Sequence, residues 1–566
     1  MSANKGLLEL FAELIGKEYV LVSHKDTKPY RQGYRQGQGS VLCVLRPGSL
    51  LELWRCFKLA IKQDLIVITQ AQNTGLTGGS TPWEEDEPYE RLVVVISTLR
   101  INTIHLLNKG SESLAYAGAT LFDLEKQLDL IGREAHSVLG SSSVGACVAA
   151  GVANNSGGAL CKRGPAYTQM ALFAKVEANG ECSLINHLGI ELGEDEEEIL
   201  QNLDKGIFDK NPKRPKNKDG FEAKGSDSDY AGILQDVTDP SPSRYNNNPR
   251  QFYEASGCAG KLLIFALRLD TFPRTGAGRI FYLGANSSEE LTTLRRELLA
   301  KTLPVAMEYM HKDLFDIGLE YGKWTFRCLE IFGSEKILKL FAIKRKFEAL
   351  CQKIGIKFPL ANWGMNAIFK LTGKHLPSFM YEYREKYEHY LIIHAQGDEA
   401  LVEDFLKDFC KDKDMSFLVV SDTEGQKAFR HRYSAAGAAL QYCSLHEKDI
   451  GGLVDLDIAL PRGLKDFDFK LPASLKERFL YSLNCGHFAC FVLHQDYILK
   501  KGYDLKESKK LLVEFLENLG AKCPSEHNVG HVYAASSELE NFYKELDPTN
   551  SLNPGIGKTS KRKFWA

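Results

Sequence analysis

The sequence predicts an α+β chain of several domains, and three observations carry that expectation. With 566 residues the chain is longer than one core organises, at roughly 100–200 residues per domain. Val- and Ile-rich strand-like runs alternate with amphipathic helical segments near the start and again after about residue 380. Glycine is unevenly placed, with two Gly-rich loops, at 73–80 and 140–158, each following a strand-like run.

Residues 1–20 place apolar side chains at helical spacing and lack the continuous apolar core of a secretory signal. A strand at 41–45 ends at Pro47-Gly48, a helix at 49–61 follows, and a strand at 65–69 completes a β-α-β beginning. The β-branched run 92–97 reads as a buried strand, and 111–128 as a strand, Gly118 and a helix. Six of the eight residues 191–198 are acidic. Residues 205–249 are polar and aperiodic, and are expected to form a flexible surface excursion. The chain re-enters a core at Gly257-Cys-Ala-Gly260 and the strand after it. Ser287 with Glu290 signals a helix start; a strand at 390–395 and a helix near 424–440 follow; a last helix at 505–519 is capped by Asp504 and stopped by Gly520.

Composition narrows the function classes. Lys+Arg 71 against Asp+Glu 73 gives a net charge of −2, which offers no whole-chain reason for nucleic-acid binding. A hydrophobic content of 44% and charged content of 25% exclude a disordered, collagenous or multi-span membrane chain, and no run of 18 apolar residues occurs. The 13 cysteines are odd in number and contain no C-x-x-C, which favours a reducing compartment. The average hides one asymmetry. Residues 333–376 hold nine Lys/Arg against two acidic residues, a net of +7, interleaved with Phe341, Phe347, Phe358, Trp363 and Phe369. Such a segment suits an anionic lipid surface, at roughly 1 kcal/mol per basic residue, and no nucleic-acid module accompanies it.

The loop Asn73-Thr-Gly-Leu-Thr-Gly-Gly-Ser80 and the segment ending Val152-Ala-Asn-Asn-Ser-Gly-Gly158 let backbone N–H groups approach a phosphate closely. Neither matches a Rossmann or Walker pattern. Together they resemble the FAD-binding domain of the vanillyl-alcohol-oxidase superfamily, the PCMH type. The resemblance implies that Ala71, Gln72, Asn73, Thr74, Gly75, Gly79 and Ser80 hold the pyrophosphate and ribityl chain. Leu139, Gly140, Ala146 and Ser156 would line the flavin and adenosine, with a backbone contact at Leu263. Covalent attachment in that family uses a His or Cys at these loops; the first has neither, and Cys147 has apolar neighbours, so FAD is expected to be non-covalent.

Three C-terminal motifs carry the chemistry: Gly486-His487 with His494 seven residues on, Glu526-His527-Asn528-Val-Gly530-His531, and Asp547-Pro-Thr-Asn-Ser-Leu-Asn-Pro554-Gly. Oxidising an alcohol needs a base near neutral pH, which histidine supplies. The order of motifs resembles the 2-hydroxyacid dehydrogenase branch of the superfamily, and over nearly the whole chain the respiratory quinone-dependent D-lactate dehydrogenases of bacteria. That resemblance implies His527 as the base, His487 and His494 as orienting groups or, with Glu526, metal ligands, and Arg432 as the anchor of the substrate carboxylate. The metal is left unassigned, because the family's "GDGN" is replaced by Ala489-Cys-Phe-Val and "EHG" by Glu526-His527-Asn528.

The same resemblance implies an FAD domain from 1–269, completed by 520–566, a cap from 270–306 and 389–519, and a mainly helical basic membrane-binding segment from 307–388. The implied partners are D-lactate, a membrane quinone and the anionic inner-membrane surface, reached peripherally from the cytoplasmic side, with no nucleic acid. A soluble FAD-dependent oxidase using dioxygen, or a dehydrogenase for another D-2-hydroxyacid, is the alternative.

Overall fold

A computed structural model describes residues 2–136, 145–274, 276–356 and 358–566. The expected β-α-β beginning forms a four-stranded sheet in the order Val20–Leu21, Cys43–Leu45, Val93–Ser97, Ile66–Gln70, parallel except for its first pair. Helix Leu50–Lys62 packs on it through Leu53, Trp54 and Phe57, all fully buried, and starts where the Ser49 hydroxyl accepts from the Glu52 N–H. The acidic run has a use here. Asp195 caps helix Glu196–Asp204, whose Glu197 pairs with Arg55 at 2.6 Å.

The second sheet is antiparallel and five-stranded, in the order Ile104–Leu107, Glu112–Tyr116, Leu263–Asp270, Ala171–Val176, Cys182–Asn186. The chain's C-terminal segment returns to the first sheet. The Val67 N–H donates to the Ser551 carbonyl at 2.9 Å and Asn553 N–H to the Val67 carbonyl at 3.0 Å, so 551–553 cover the open edge of strand Ile66–Gln70.

A seven-stranded antiparallel sheet makes the other half, in the order Met415–Val420, Arg279–Ala285, His389–Ala395, Ala306–His311, Phe479–His487, Val492–Lys500, Ile450–Ala459. Strand alternation gives it two faces. One carries Phe281, Leu283, Met307, Tyr309 and Leu456 under helices Ser288–Lys301, Glu399–Cys410 and Leu505–Asn518. The other carries Tyr282, Met310, Tyr390 and Cys485 under helices Lys312–Tyr321, Asp422–Ala435 and Ala438–Leu445. Strand Ala306–His311 sits in the middle of this sheet, so the segment expected to turn basic and helical at 307 first completes the sheet. The helical part begins after it.

That part is Lys323–Lys353, kinked at Gly333, then Leu360–Lys370. On the first helix Ile343, Phe347 and Leu350, followed by Ile354 just past its end, recur at helical spacing and are 64%, 47%, 58% and 67% exposed. Trp363, Ile368 and Leu371 of the second region are exposed as well, and Lys346 and Lys353 flank the stripe. A contiguous apolar patch of this kind marks a contact surface. No described helix is long and apolar enough to cross a membrane.

The segment 205–249 departs from expectation: it is folded, and it straps the two halves together. Tyr230 and Leu234 of helix Tyr230–Gln235 are fully buried in the core of the seven-stranded sheet. Arg462 donates to the Ser241 carbonyl at 3.1 Å, Asn246 Nδ2 donates to the Asn154 carbonyl at 2.7 Å, and Arg250 grips Asp227 at 2.6 and 2.7 Å. Several of its polar side chains bond within the segment or to other parts of the chain, which a composition argument does not reveal.

Candidate active site

The helices leave part of the second face of the seven-stranded sheet uncovered, and the site is built there. Cross-strand register places Glu308 opposite His487 and Asp457 opposite His494. The loop 525–531 closes over them, pinned by Asp457, whose carboxylate accepts from the Ser525 hydroxyl at 2.5 Å and the Glu526 N–H at 2.6 Å. The five side chains singled out in the sequence come together through one run of contacts. Arg432 lies 3.2 Å from Glu308, Glu308 2.6 Å from His487 Nδ1, and His487 Nε2 3.4 Å from Glu526. Glu526 is 3.7 Å from His494 Nε2, His494 Nδ1 is 3.4 Å from Asp457, and Asp457 is 4.0 Å from His527 Nε2.

The charges balance in a dry setting. Glu308, Asp457, Glu526 and Arg432 are all less than a tenth exposed. Burial alone would discharge His487, but Glu308 and Glu526 on either side outweigh it and raise its pKa to about 10. Burial likewise opposes ionisation of Asp457, yet His527 and His494 hold it down at about 2. Glu526 is held well below the usual carboxylate range against its burial, chiefly by Arg244 and then His487. Three carboxylates thus face Arg244, Arg432 and the imidazolium of His487.

Arg432 is 2% exposed, yet its Nε and Nη2 make no hydrogen bond. Buried guanidinium donors are rarely left so, and the arrangement suits a planar carboxylate entering the cleft. Tyr433 beside it is 45% exposed, its ring centroid 5.7 Å from the guanidinium carbon. The ligand atoms of His487, His494 and Glu526 all lie within 4.8 Å of one another. Each histidine turns its Nδ1 to a carboxylate, Glu308 or Asp457, and its Nε2 to Glu526, so these three could hold a divalent cation. Arg244 competes with such an ion for Glu526.

The glycine loop follows strand Ile66–Gln70. Gln70 Nε2 donates to the Tyr30 and Ser80 carbonyls at 3.0 and 2.6 Å, while Asn73, at φ +54°, accepts from the Ser80 and Thr81 hydroxyls at 3.2 and 3.0 Å. These side chains shape the loop, and Ala71, Gln72, Thr74 and Gly75 on its outer turn are half-buried or exposed. Asn553 Nδ2 donates to the Gly79 and Ala259 carbonyls, both at 2.8 Å, and keeps a buried, unpaired Oδ1; the buried Nε2 of His531, stacked on Trp83, is unpaired too. Both atoms are acceptors, since the neutral His531 ring donates through Nδ1 to the Gly555 carbonyl, so they fit hydroxyl or N–H donors of a polar ligand beside the glycine loop.

The same loop meets the loop 525–531. Thr77 donates to the Asn528 carbonyl at 2.9 Å and accepts, through its own carbonyl, from the His531 N–H at 3.0 Å. Gly530, at φ +54°, lies so close to Thr77 that a side chain would overlap the Thr77 carbonyl. Of the second segment, Ala146 is 8% exposed and accepts from the Leu121 N–H, Ser156 is half-buried, and Leu139 and Gly140 lie outside the described residues. Leu263 begins its strand with a fully buried side chain. The Cys147 thiol is buried and directed at the Gly118 carbonyl, 3.4 Å away.

Three site residues escaped the sequence reading. Glu308 and Asp457 come from strands with no motif of their own. Arg244 belongs to the segment expected to be flexible; it is 1% exposed, pairs with Glu526 and donates to the Gly158 carbonyl at 2.9 Å. The one signal available for it was an arginine just upstream of an Asn-rich turn.

Comparison with known proteins places this geometry. A family model described as D-lactate dehydrogenase, membrane binding, matches residues 280–565. The quinone-dependent D-lactate dehydrogenase of Escherichia coli is 46% identical over 566 residues, covering 99% of this chain and 98% of the relative. Those of Haemophilus influenzae and Corynebacterium glutamicum are 45% and 40% identical, covering 99% of this chain and 99% and 98% of their own. Among solved structures, p-cresol methylhydroxylase with substrate bound superposes with a TM-score of 0.58 at 13% identity, over 99% of this chain and 98% of its own, which shows the shared fold. The 4-ethylphenol oxidase of Gulosibacter chungangensis does so at 0.54 and 12%, over 98% and 96%. On identity, coverage and fold together, the chain belongs to the family of quinone-dependent D-lactate dehydrogenases.

Proposed function

We propose that this protein oxidises D-lactate to pyruvate with non-covalently held FAD and delivers the electrons to a membrane quinone. The observation that carries the reading is the unbroken run of contacts from Arg432 to His527, docked through Gly530 on the glycine loop. Arg432 binds the lactate carboxylate with its unpaired donors. His487 is already a cation and both nitrogens of His494 face carboxylates, whereas the His527 side chain is 39% exposed and, among the described residues, its one ion pair is to Asp457; His527 therefore takes the hydroxyl proton. His487 and His494 orient the hydroxyl, and with Glu526 they are the residues that would hold a metal ion once His487 has given up its proton. Bound FAD would accept the C2 hydride and pass two electrons onward. The backbone of 71–75, with Gly79, Ser80, Ala146 and Ser156, would hold it, Leu139, Gly140 and the Leu263 backbone adding the contacts the resemblance implies. The buried Cys147 thiol supports non-covalent attachment.

Anaerobic addition of D-lactate to the purified yellow protein is expected to bleach the flavin, with L-lactate and D-2-hydroxyglutarate far slower. Bleaching by L-lactate at an equal rate, or flavin that stays with the chain after acid precipitation, would overturn the respective part of this reading. Metal analysis of the same sample reports whether the His487–His494–Glu526 group is loaded.

The exposed apolar stripe between Lys346 and Lys353 supports peripheral attachment to the anionic cytoplasmic face of the inner membrane. Lys344 is unsuited to a test, because it lies half-buried over Trp324, 4.9 Å from the ring centroid. Lys346→Gln with Lys353→Gln removes about 2 kcal/mol of lipid attraction, a roughly 30-fold loss of binding to anionic vesicles. Activity with a water-soluble electron acceptor should be unchanged. Vesicle binding equal to wild type would count against the lipid surface.

A further inference from the structure

We infer that Glu308 is a positioning residue of this reaction, holding His487 and Arg432 in register through one carboxylate. The inference rests on the assignment of Arg432 as the carboxylate anchor. Glu308 is 1% exposed and lies on strand Ala306–His311, directly opposite His487 in the ladder. Its Oε1 is 2.6 Å from His487 Nδ1 and its Oε2 is 3.2 Å from Arg432 Nη2, one oxygen for each cation. The first contact fixes the plane of the imidazole and aims Nε2 at Glu526, 3.4 Å away. The second holds the guanidinium by charge without a well-aligned hydrogen bond, since Arg432 Nη2 and Glu308 Oε2 both remain unbonded. The donors of Arg432 stay free for a second carboxylate while its position is fixed. A shift of about 1 Å in either group is enough to cost on the order of a hundredfold in rate.

This arrangement predicts a particular split. Glu308 competes with the substrate carboxylate for Arg432, so removing its charge does not weaken ground-state binding, but it loses the alignment that the transition state needs. For Glu308→Gln, the anaerobic bleaching rate at saturating D-lactate should fall about 100-fold. The Kd for oxalate, read from the perturbed flavin spectrum, should stay level or tighten. A bleaching rate within threefold of wild type would overturn the inference, as would rate, oxalate affinity and FAD content all falling together, the mark of a merely structural role. Glu308→Asp keeps the charge but reaches only one partner; it should show the same split, and it decides the matter if the glutamine variant does not retain FAD. Arg432→Lys separates this inference from its premise. If lysine there leaves oxalate binding unchanged, the anchor assignment fails, while the Glu308→Gln rate still judges the hold on His487.

Discussion

With His527 replaced by alanine, the protein should emerge from purification yellow and stay yellow under anaerobic D-lactate, bleaching about a hundred- to ten-thousand-fold more slowly than wild type. The reason is local. The loop that carries His527 is tied to the glycine loop by Thr77, Gly530 and His531, and to the sheet by Asp457; none of these links uses the imidazole of residue 527. Deleting that ring therefore removes a proton acceptor and leaves the cofactor cradle intact. Partial recovery of bleaching on adding imidazole would be the corresponding positive sign. Bleaching at the wild-type rate would transfer the base role to another group, and His494 would then be the nearest imidazole to examine.

The second large effect lies outside the motifs. Arg244→Met should lower stability by about 3–5 kcal/mol, because it leaves the Glu526 carboxylate buried without its cation. The loss should appear as a marked fall in the apparent melting temperature of the FAD-loaded protein. Without Arg244 the Glu526 carboxyl would bind a proton more readily, which would weaken the ionised carboxylate that His487 and His494 both face. Bleaching by D-lactate should consequently collapse as well. Combining Arg244→Met with Glu526→Gln removes the orphaned charge, so the double variant should regain much of the melting temperature yet remain inactive. Additive destabilisation in the double variant would mean that the pair is not coupled, and the account of the site's charge balance would fail.

What could be read in the sequence was what is local in it. The Asp504 cap and the Gly520 stop of helix Leu505–Asn518 sit within a turn of the helix they bound, and both are where the sequence places them. The glycine loop, the His487–His494 spacing and the Glu526-His527 motif are likewise contiguous stretches. Glu308 and Asp457 were illegible for the opposite reason. Glu308 meets His487 across 179 residues, by a strand register that composition does not encode, and its neighbours Met307 and Tyr309 simply look like core. Arg244 reaches Glu526 across 282 residues from a stretch whose Asn, Asp and Pro content suggests solvent. That content instead supplies Asx turns such as Asn217, which accepts from the Asp219 and Phe221 N–H groups at 3.0 Å each. Strand Ala306–His311 was absorbed into the basic segment because the sheet claiming it is assembled from six other strands scattered over 279–500.

The return of residues 551–553 to the edge of strand Ile66–Gln70 also sets a clock. Asn553 braces the carbonyl of Gly79 from 474 residues away. At roughly 5–20 residues per second, a ribosome takes on the order of 25–95 s to span that distance. Throughout that interval the nascent glycine loop stands without its brace, its strand edge is open, and the long-range closure that completes it is the entropically slow kind. The glycine loop thus gains its brace only after residues 551–553 have been made, and although synthesised far earlier it becomes competent for a cofactor no sooner than they do.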